Sequence, residues 1–292
     1  GPTSVGARVC RMLVQHRRDG CLRLFRQHDH ALAAGRLAFA WVGLDRDPRP
    51  LAFEVVLATA LHDLAWRALD RAPRRDPATR RPFAFDEYPL ADKLEAYRDG
   101  LDAMEGVHLY TALLGSLHYT TFPDVRGSAL PISREFLASE QERCARLRLR
   151  LGYAGARDEG IERVRVEEAP DTPGGEVGAV LDRELDYLRL FDRLSLYLCL
   201  TPPSAVSDAQ PDWIDRLRHL ETPDGRLLHL TWMEDDVLHV DPFPFREPVE
   251  LCVPYRDLLA DSFPDDEALA TAWRRARDED WWVSVRPAPR LA

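Results

Sequence analysis

The chain has 292 residues, 45% of them hydrophobic, and a formal net charge of −10. That is enough apolar material for one large core or two smaller ones, and the acidic balance argues against nucleic acid as a partner. No run approaches the roughly 20 apolar residues that span a bilayer, there is no secretory h-region, and the five scattered cysteines lack metal-thiolate spacing. A reducing, cytoplasmic setting is therefore expected, with no membrane partner. Nearly all basic charge is arginine: Lys93 is the single lysine, and asparagine is absent.

Residues 8–26 read as a β-hairpin around Arg18-Asp-Gly20, since Asp-Gly between two apolar runs favours a tight turn. The period then changes. His30, Ala34, Leu37, Ala38 and Trp41 share one helical stripe, and His28 lies off it. Phe53 to Leu69 predicts a second apolar helix that carries the neighbouring pair His62-Asp63. Asp70 to Leu90 is a loop rich in proline, arginine and aromatics, a length usual for functional lids. Helices are predicted over 91–104, 108–118, 133–151 and 177–200, with polar connections at 123–131 and 152–176. After Thr201-Pro-Pro203 the pattern shifts to short strands at 227–232, 237–240, 249–253 and 281–285, with one helix at 265–277.

Several helices thus each offer a candidate ligand: His30, His62 with Asp63, His118 and Asp192. Ionisable groups on apolar faces need partners, because their desolvation costs several kcal/mol. One metal ion would partner all of them. His108 and His118 are ten residues apart, about 15 Å along one helix, so both cannot reach one site. His16, His219, His229 and His239 are assigned no role.

At these residues the chain resembles the HD-domain superfamily of metal-dependent phosphohydrolases: a His on a first helix, Leu61-His-Asp-Leu64 on a second, and Phe191-Asp-Arg-Leu-Ser195 on a late one. More narrowly it resembles a bacterial branch of that superfamily, of unknown function, through Asp29-His-Ala31, Trp66, Ser116-Leu-His118 and Pro242-Phe-Pro-Phe245. Ala65-Trp66 stands where many members have Gly-Lys.

The resemblance implies a mainly α fold, an HD-type helical bundle with an N-terminal β-hairpin and a small C-terminal β-rich module. The hairpin and metal-binding domain would span 8–200 and the module 201–292. It implies a divalent metal ion (Mn, Mg, Ni, Zn or Fe) on His30, His62, Asp63 and Asp192. The expected function is hydrolysis of a phosphate ester or anhydride, with His118 or Asp63 handling the proton. Trp66, Arg74 and Arg81 are expected to touch an anionic small-molecule substrate. Two alternatives stay open: a non-haem iron oxygenase on the same ligands, and a non-catalytic binding module. The sequence leaves the oligomeric state open.

Overall fold

The computed structural model describes residues 12–45, 49–71, 73–153, 173–205 and 212–289. β1 (Met12–His16) and β2 (Leu22–Arg26) form the expected hairpin. Gly20 turns it at a φ of 85°, which suits a residue without a Cβ. The chain passes directly from β2 into α1 (Gln27–Ala40), then α2 (Phe53–Leu61) and a 3-10 turn (Leu64–Arg67). α3 (Leu90–Val107), α4 (Leu109–Thr120), the short α5 (Pro123–Arg126), α6 (Pro131–Arg150) and α7 (Pro173–Leu200) follow. Beyond them lie α8 (Asp212–Asp215), a second 3-10 turn (Arg216–Arg218), β3 (His219–Glu221), β4 (Leu227–Glu234), β5 (Val237–Asp241), β6 (Val249–Leu258), α9 (Asp266–Arg275) and β7 (Glu279–Pro287). Among the described residues no helix is long and apolar enough to cross a membrane.

The strands form one seven-stranded sheet in the order β1-β2-β6-β7-β5-β4-β3. β5 and β7 run parallel, and the other neighbours are antiparallel. β2 joins β6 in register from Leu22↔Leu258 to Phe25↔Tyr255. The hairpin and the C-terminal strands, expected in separate units, therefore share one sheet. This corrects the mainly α expectation and, with it, the HD-type helical bundle: a sheet this large is not a small module beside a helical domain. Local periodicity identifies the strands, but pairing between opposite ends of the chain leaves no local trace.

Three clusters of buried side chains make the core. In the first, Ala34, Leu37 and Ala38 of α1 and Leu194 and Leu198 of α7 pack with Leu228, Leu230, Val240 and Val283 of the sheet. In the second, Leu94 and Leu101 of α3, Leu113 and Leu117 of α4 and Phe136 of α6 meet Leu181, Leu185 and Leu188 of α7. α7 thus ties the helical layer to the sheet. The third lies where Leu269 and Trp273 of α9 cover Met12, Leu22, Leu24 and Leu258.

Two glycines set how closely the helical elements approach. A Cβ on Gly35 would lie 2.5 Å from the Cβ of Ala60, so α1 and α2 touch nearly backbone to backbone. A Cβ on Gly100 would lie 2.4 Å from the Cα of Ala65, which does the same for α3 and the first 3-10 turn. Gly35→Ala is expected to cost about 1–3 kcal/mol through forced separation of α1 and α2, read as a lower urea midpoint at unchanged slope. A wild-type midpoint would contradict this contact.

The Tyr110 hydroxyl donates to Glu184, between α4 and α7. Burial, helped by the nearby Glu54 carboxylate, pushes the Glu184 carboxyl up to about 7. The folded chain then holds a proton that the unfolded chain sheds from about 4.5 upward. Stability is thus expected to fall as pH rises across this window. Glu184→Gln should flatten that part of the stability profile, whereas an unchanged slope would remove Glu184 as its source.

Candidate metal centre

The side chains of His30, His62, Asp63, His118 and Asp192 meet where α1, the end of α2, α4 and α7 converge. The expected helix over Phe53–Leu69 does not run through. α2 ends at Leu61, His62 still has helical angles, and Asp63 turns to φ −108°, ψ 26° before the 3-10 turn begins. In an unbroken helix, neighbouring side chains diverge by about 100°. The break lets both members of the pair face one point.

Three ligand atoms, from His30, His62 and Asp192, lie within 4.8 Å of one another. Asp63 joins from the side: its Oδ2 is 2.8 Å from His30 Nε2 and 3.7 Å from His62 Nε2. Asp192 Oδ1 stands 3.3 Å from His62 Nε2, and Asp192 Oδ2 is 3.6 Å from His118 Nε2. His30 and His62 are each only 1% exposed, and His118 is 2% exposed.

Hydrogen bonds orient the rings. His62 Nδ1 sits 2.7 Å from the carbonyl of Thr59. A carbonyl only accepts, so Nδ1 carries a proton and the other nitrogen points into the cluster. That nitrogen, Nε2, is buried and makes no hydrogen bond among the described residues. His30 Nδ1 lies 2.8 Å from Ser195 Oγ, whose hydroxyl donates to the Asp192 carbonyl at 2.9 Å. His30 Nδ1 therefore donates to Ser195, which leaves Nε2 to face Asp63. Two carboxylates and two inward nitrogens at one buried point suit a divalent cation. The sequence marked the candidate ligands but missed these orienting residues, although Thr59 and Ser195 each stand one helical turn from a candidate ligand.

The electrostatics have the same cause. Burial disfavours charge on His62, but Asp63 and Asp192 outweigh it and lift the imidazole to about 9. Burial likewise opposes ionisation of Asp192, yet His62 and the other imidazoles hold its carboxyl well below the usual range. His118 is driven down to about 3, mainly by burial. Both its nitrogens lack hydrogen bonds among the described residues.

A cavity of about 600 Å³ opens onto His30, Asp63, His118 and Asp192. Trp66 forms part of its wall, packed edge-on against Tyr97 at 5.7 Å. Of the other expected substrate contacts, neither Arg74 nor Arg81 lines this cavity. Arg74 is drawn to Asp92 and Asp266, and Arg81 to Asp261, because the 70–90 loop is tied towards α9. Lys93, Arg189 and Arg193 line the cavity instead. Lys93 is itself buried and ion-paired with Asp124. His108 stands at the opposite end of α4 from His118.

Ser195→Ala is expected to keep the fold at a cost of about 1 kcal/mol, the value of one lost hydrogen bond, and to free the His30 ring. Chemical denaturation measures the first effect, and the ring's tautomer, read from its nitrogen chemical shifts, measures the second. An unchanged tautomer would show that Ser195 does not orient His30.

The chain matches the model of the family described as "Protein of unknown function (DUF3891)" over residues 12–260. The match runs from the start of β1 past the end of β6, so it contains every residue of the cluster. It is a match to this family and not to the HD-domain superfamily, which corrects the resemblance drawn from the short His, His-Asp and Asp segments. No curated protein and no solved structure matches the chain. With the family model covering most of its length, the chain belongs to the DUF3891 family.

Proposed function

We propose that this protein is a metal-dependent hydrolase of a phosphate ester or anhydride, with a divalent ion held by His30, His62, Asp63 and Asp192. The observation that carries the proposal is His62 Nε2: a buried ring nitrogen, aimed at two carboxylates, with no hydrogen bond among the described residues. Asp192 Oδ1 and Asp63 Oδ2 stand 3.3 and 3.7 Å from it, and a cation held between the nitrogen and these oxygens would engage all three. A bound divalent ion supplies a water of near-neutral pKa and polarises the scissile group.

The protein's own residues do the rest. Thr59 and Ser195 hold His62 and His30 in the ligating orientation. Trp66, Tyr97 and Phe122 wall the cavity, exclude water and so strengthen electrostatic contacts within it. Among the cations that line the cavity, Lys93 is paired with Asp124 and Arg189 with Asp186, and Arg193 is the charge that would meet an anionic substrate. His118 lies beside Asp192 and is placed to pass a proton between the cavity and the cluster.

The test is hydrolysis of p-nitrophenyl phosphate by chelator-treated protein, resupplied in turn with Mn, Mg, Ni, Zn and Fe(II). Activity should return with at least one ion and fall at least about 100-fold in His62→Ala and Asp192→Ala, the loss of several kcal/mol of catalysis. Metal-independent turnover, or wild-type turnover in either variant, would overturn the reading.

A further inference from the structure

The first turn of α1 borders two cavities that share no lining residue: Gln27 and His30 face the one described above, and His28 and Asp29 face another. This second cavity, about 410 Å³, is lined by Arg26, Arg67, Arg71, Arg256 and Arg274, with Asp70 also in its wall. Five guanidiniums around one hollow are unusual in a chain of net charge −10.

Three of the five are committed. Arg256 makes a bidentate pair with Asp278 at 2.8 and 3.0 Å, and its third nitrogen donates to the Trp273 carbonyl. Arg26 is held by Asp29 and Asp278, and Arg274 by Glu267. Arg67 and Arg71 make no hydrogen bond or ion pair among the described residues. They stand four residues apart in the first 3-10 turn and just after it, and are available to a ligand.

Asp70 makes the cavity more selective than a basic patch. It is 3% exposed, and its Oδ2 accepts the His28 amide at 3.3 Å. Its Oδ1 is buried without a hydrogen-bond partner among the described residues. Burial pushes this carboxyl well above its usual range, against the pull of the His28 and Gln27 amides, so Asp70 acts as an acceptor only where it has lost its proton, which requires mildly alkaline solution. The site therefore combines free cations with an acceptor that lacks a proton donor. One ligand chemistry satisfies both: an oxyanion that carries its own proton. Hydrogen phosphate keeps a proton in mildly alkaline solution. Sulfate carries none, and a phosphate monoester has lost its last proton above about pH 6.

We propose that this cavity binds inorganic phosphate as hydrogen phosphate, with Arg67 and Arg71 on its charged oxygens and Asp70 accepting from its hydroxyl. The site lies outside the metal cluster and does not depend on it.

The test is isothermal titration of the full chain, chelator-treated, in mildly alkaline buffer of fixed ionic strength, with inorganic phosphate, sulfate and glycerol phosphate. Chelation removes the metal centre as a phosphate binder, so the result stands whatever becomes of the hydrolase proposal. Phosphate should bind at least about tenfold more tightly than the other two, and Arg67→Ala and Arg71→Ala should each weaken it about tenfold. Asp70→Asn, which turns the acceptor into a donor, should bring phosphate down to the level of sulfate. If that variant does not fold, the ligand comparison on wild-type protein and the two arginine variants still decides. Equal phosphate and sulfate affinities, no phosphate binding, or phosphate binding unaffected by both arginine variants would overturn the proposal.

Discussion

Asp63 and three imidazoles are buried beside the partly buried Asp192 at the junction of four helical elements, and much of the architecture is the means of keeping them there. Isolated, each buried charge would cost several kcal/mol. Together they compensate one another: Asp63 and Asp192 raise the pKa of His62 against its burial, and His62 lowers that of Asp192. The arrangement depends on close backbone approach. Gly35 against Ala60 brings α1 onto α2, which sets His30 beside the His62-Asp63 turn. α7 then supplies Asp192 from a helix whose two halves are fixed in different cores, one on the sheet and one among α3, α4 and α6. The sheet contributes no ligand. Its part is to pack against α1 and α7.

The candidate ligands were legible in the sequence because each signal is local. An ionisable residue on an apolar helical stripe announces a buried partner, and His30, His62, Asp63, His118 and Asp192 were all found in this way. Most strands were legible too, since the alternation in Leu227–Glu234 and the apolar run around Val249 are short-range patterns, but the three-residue β3 and the second half of β6 were not. What joins them was not. β2 meets β6, and β5 meets β7 in parallel, and neither contact leaves a mark in the residues around it. The HD resemblance failed for a related reason: a few short segments fix which side chains meet, but do not fix the scaffold that brings them together.

The arginines show the same limit. Arg74 and Arg81 looked like substrate contacts because they sit in a long basic loop. Tertiary placement gives them Asp92, Asp266 and Asp261 instead, while Arg67 and Arg71, from the same stretch, are left beside Asp70. Asp70 also holds the start of α1 through the His28 amide, so one helical turn separates a cluster suited to a cation from a hollow suited to an anion. That division gives the two proposed sites opposite ligand chemistry within a few residues of each other.

His30, His62, Asp63 and Asp192 are proposed to share a metal ion. Anomalous scattering from a crystal of the protein grown without chelator decides whether they do. One peak is expected within coordination distance of His62 Nε2 and His30 Nε2, at about 2.0–2.2 Å for a transition metal, with carboxylate oxygens of Asp63 and Asp192 completing its shell. A clear map with no peak there, and Asp192 hydrogen-bonded to a protonated His62 Nε2, would contradict it.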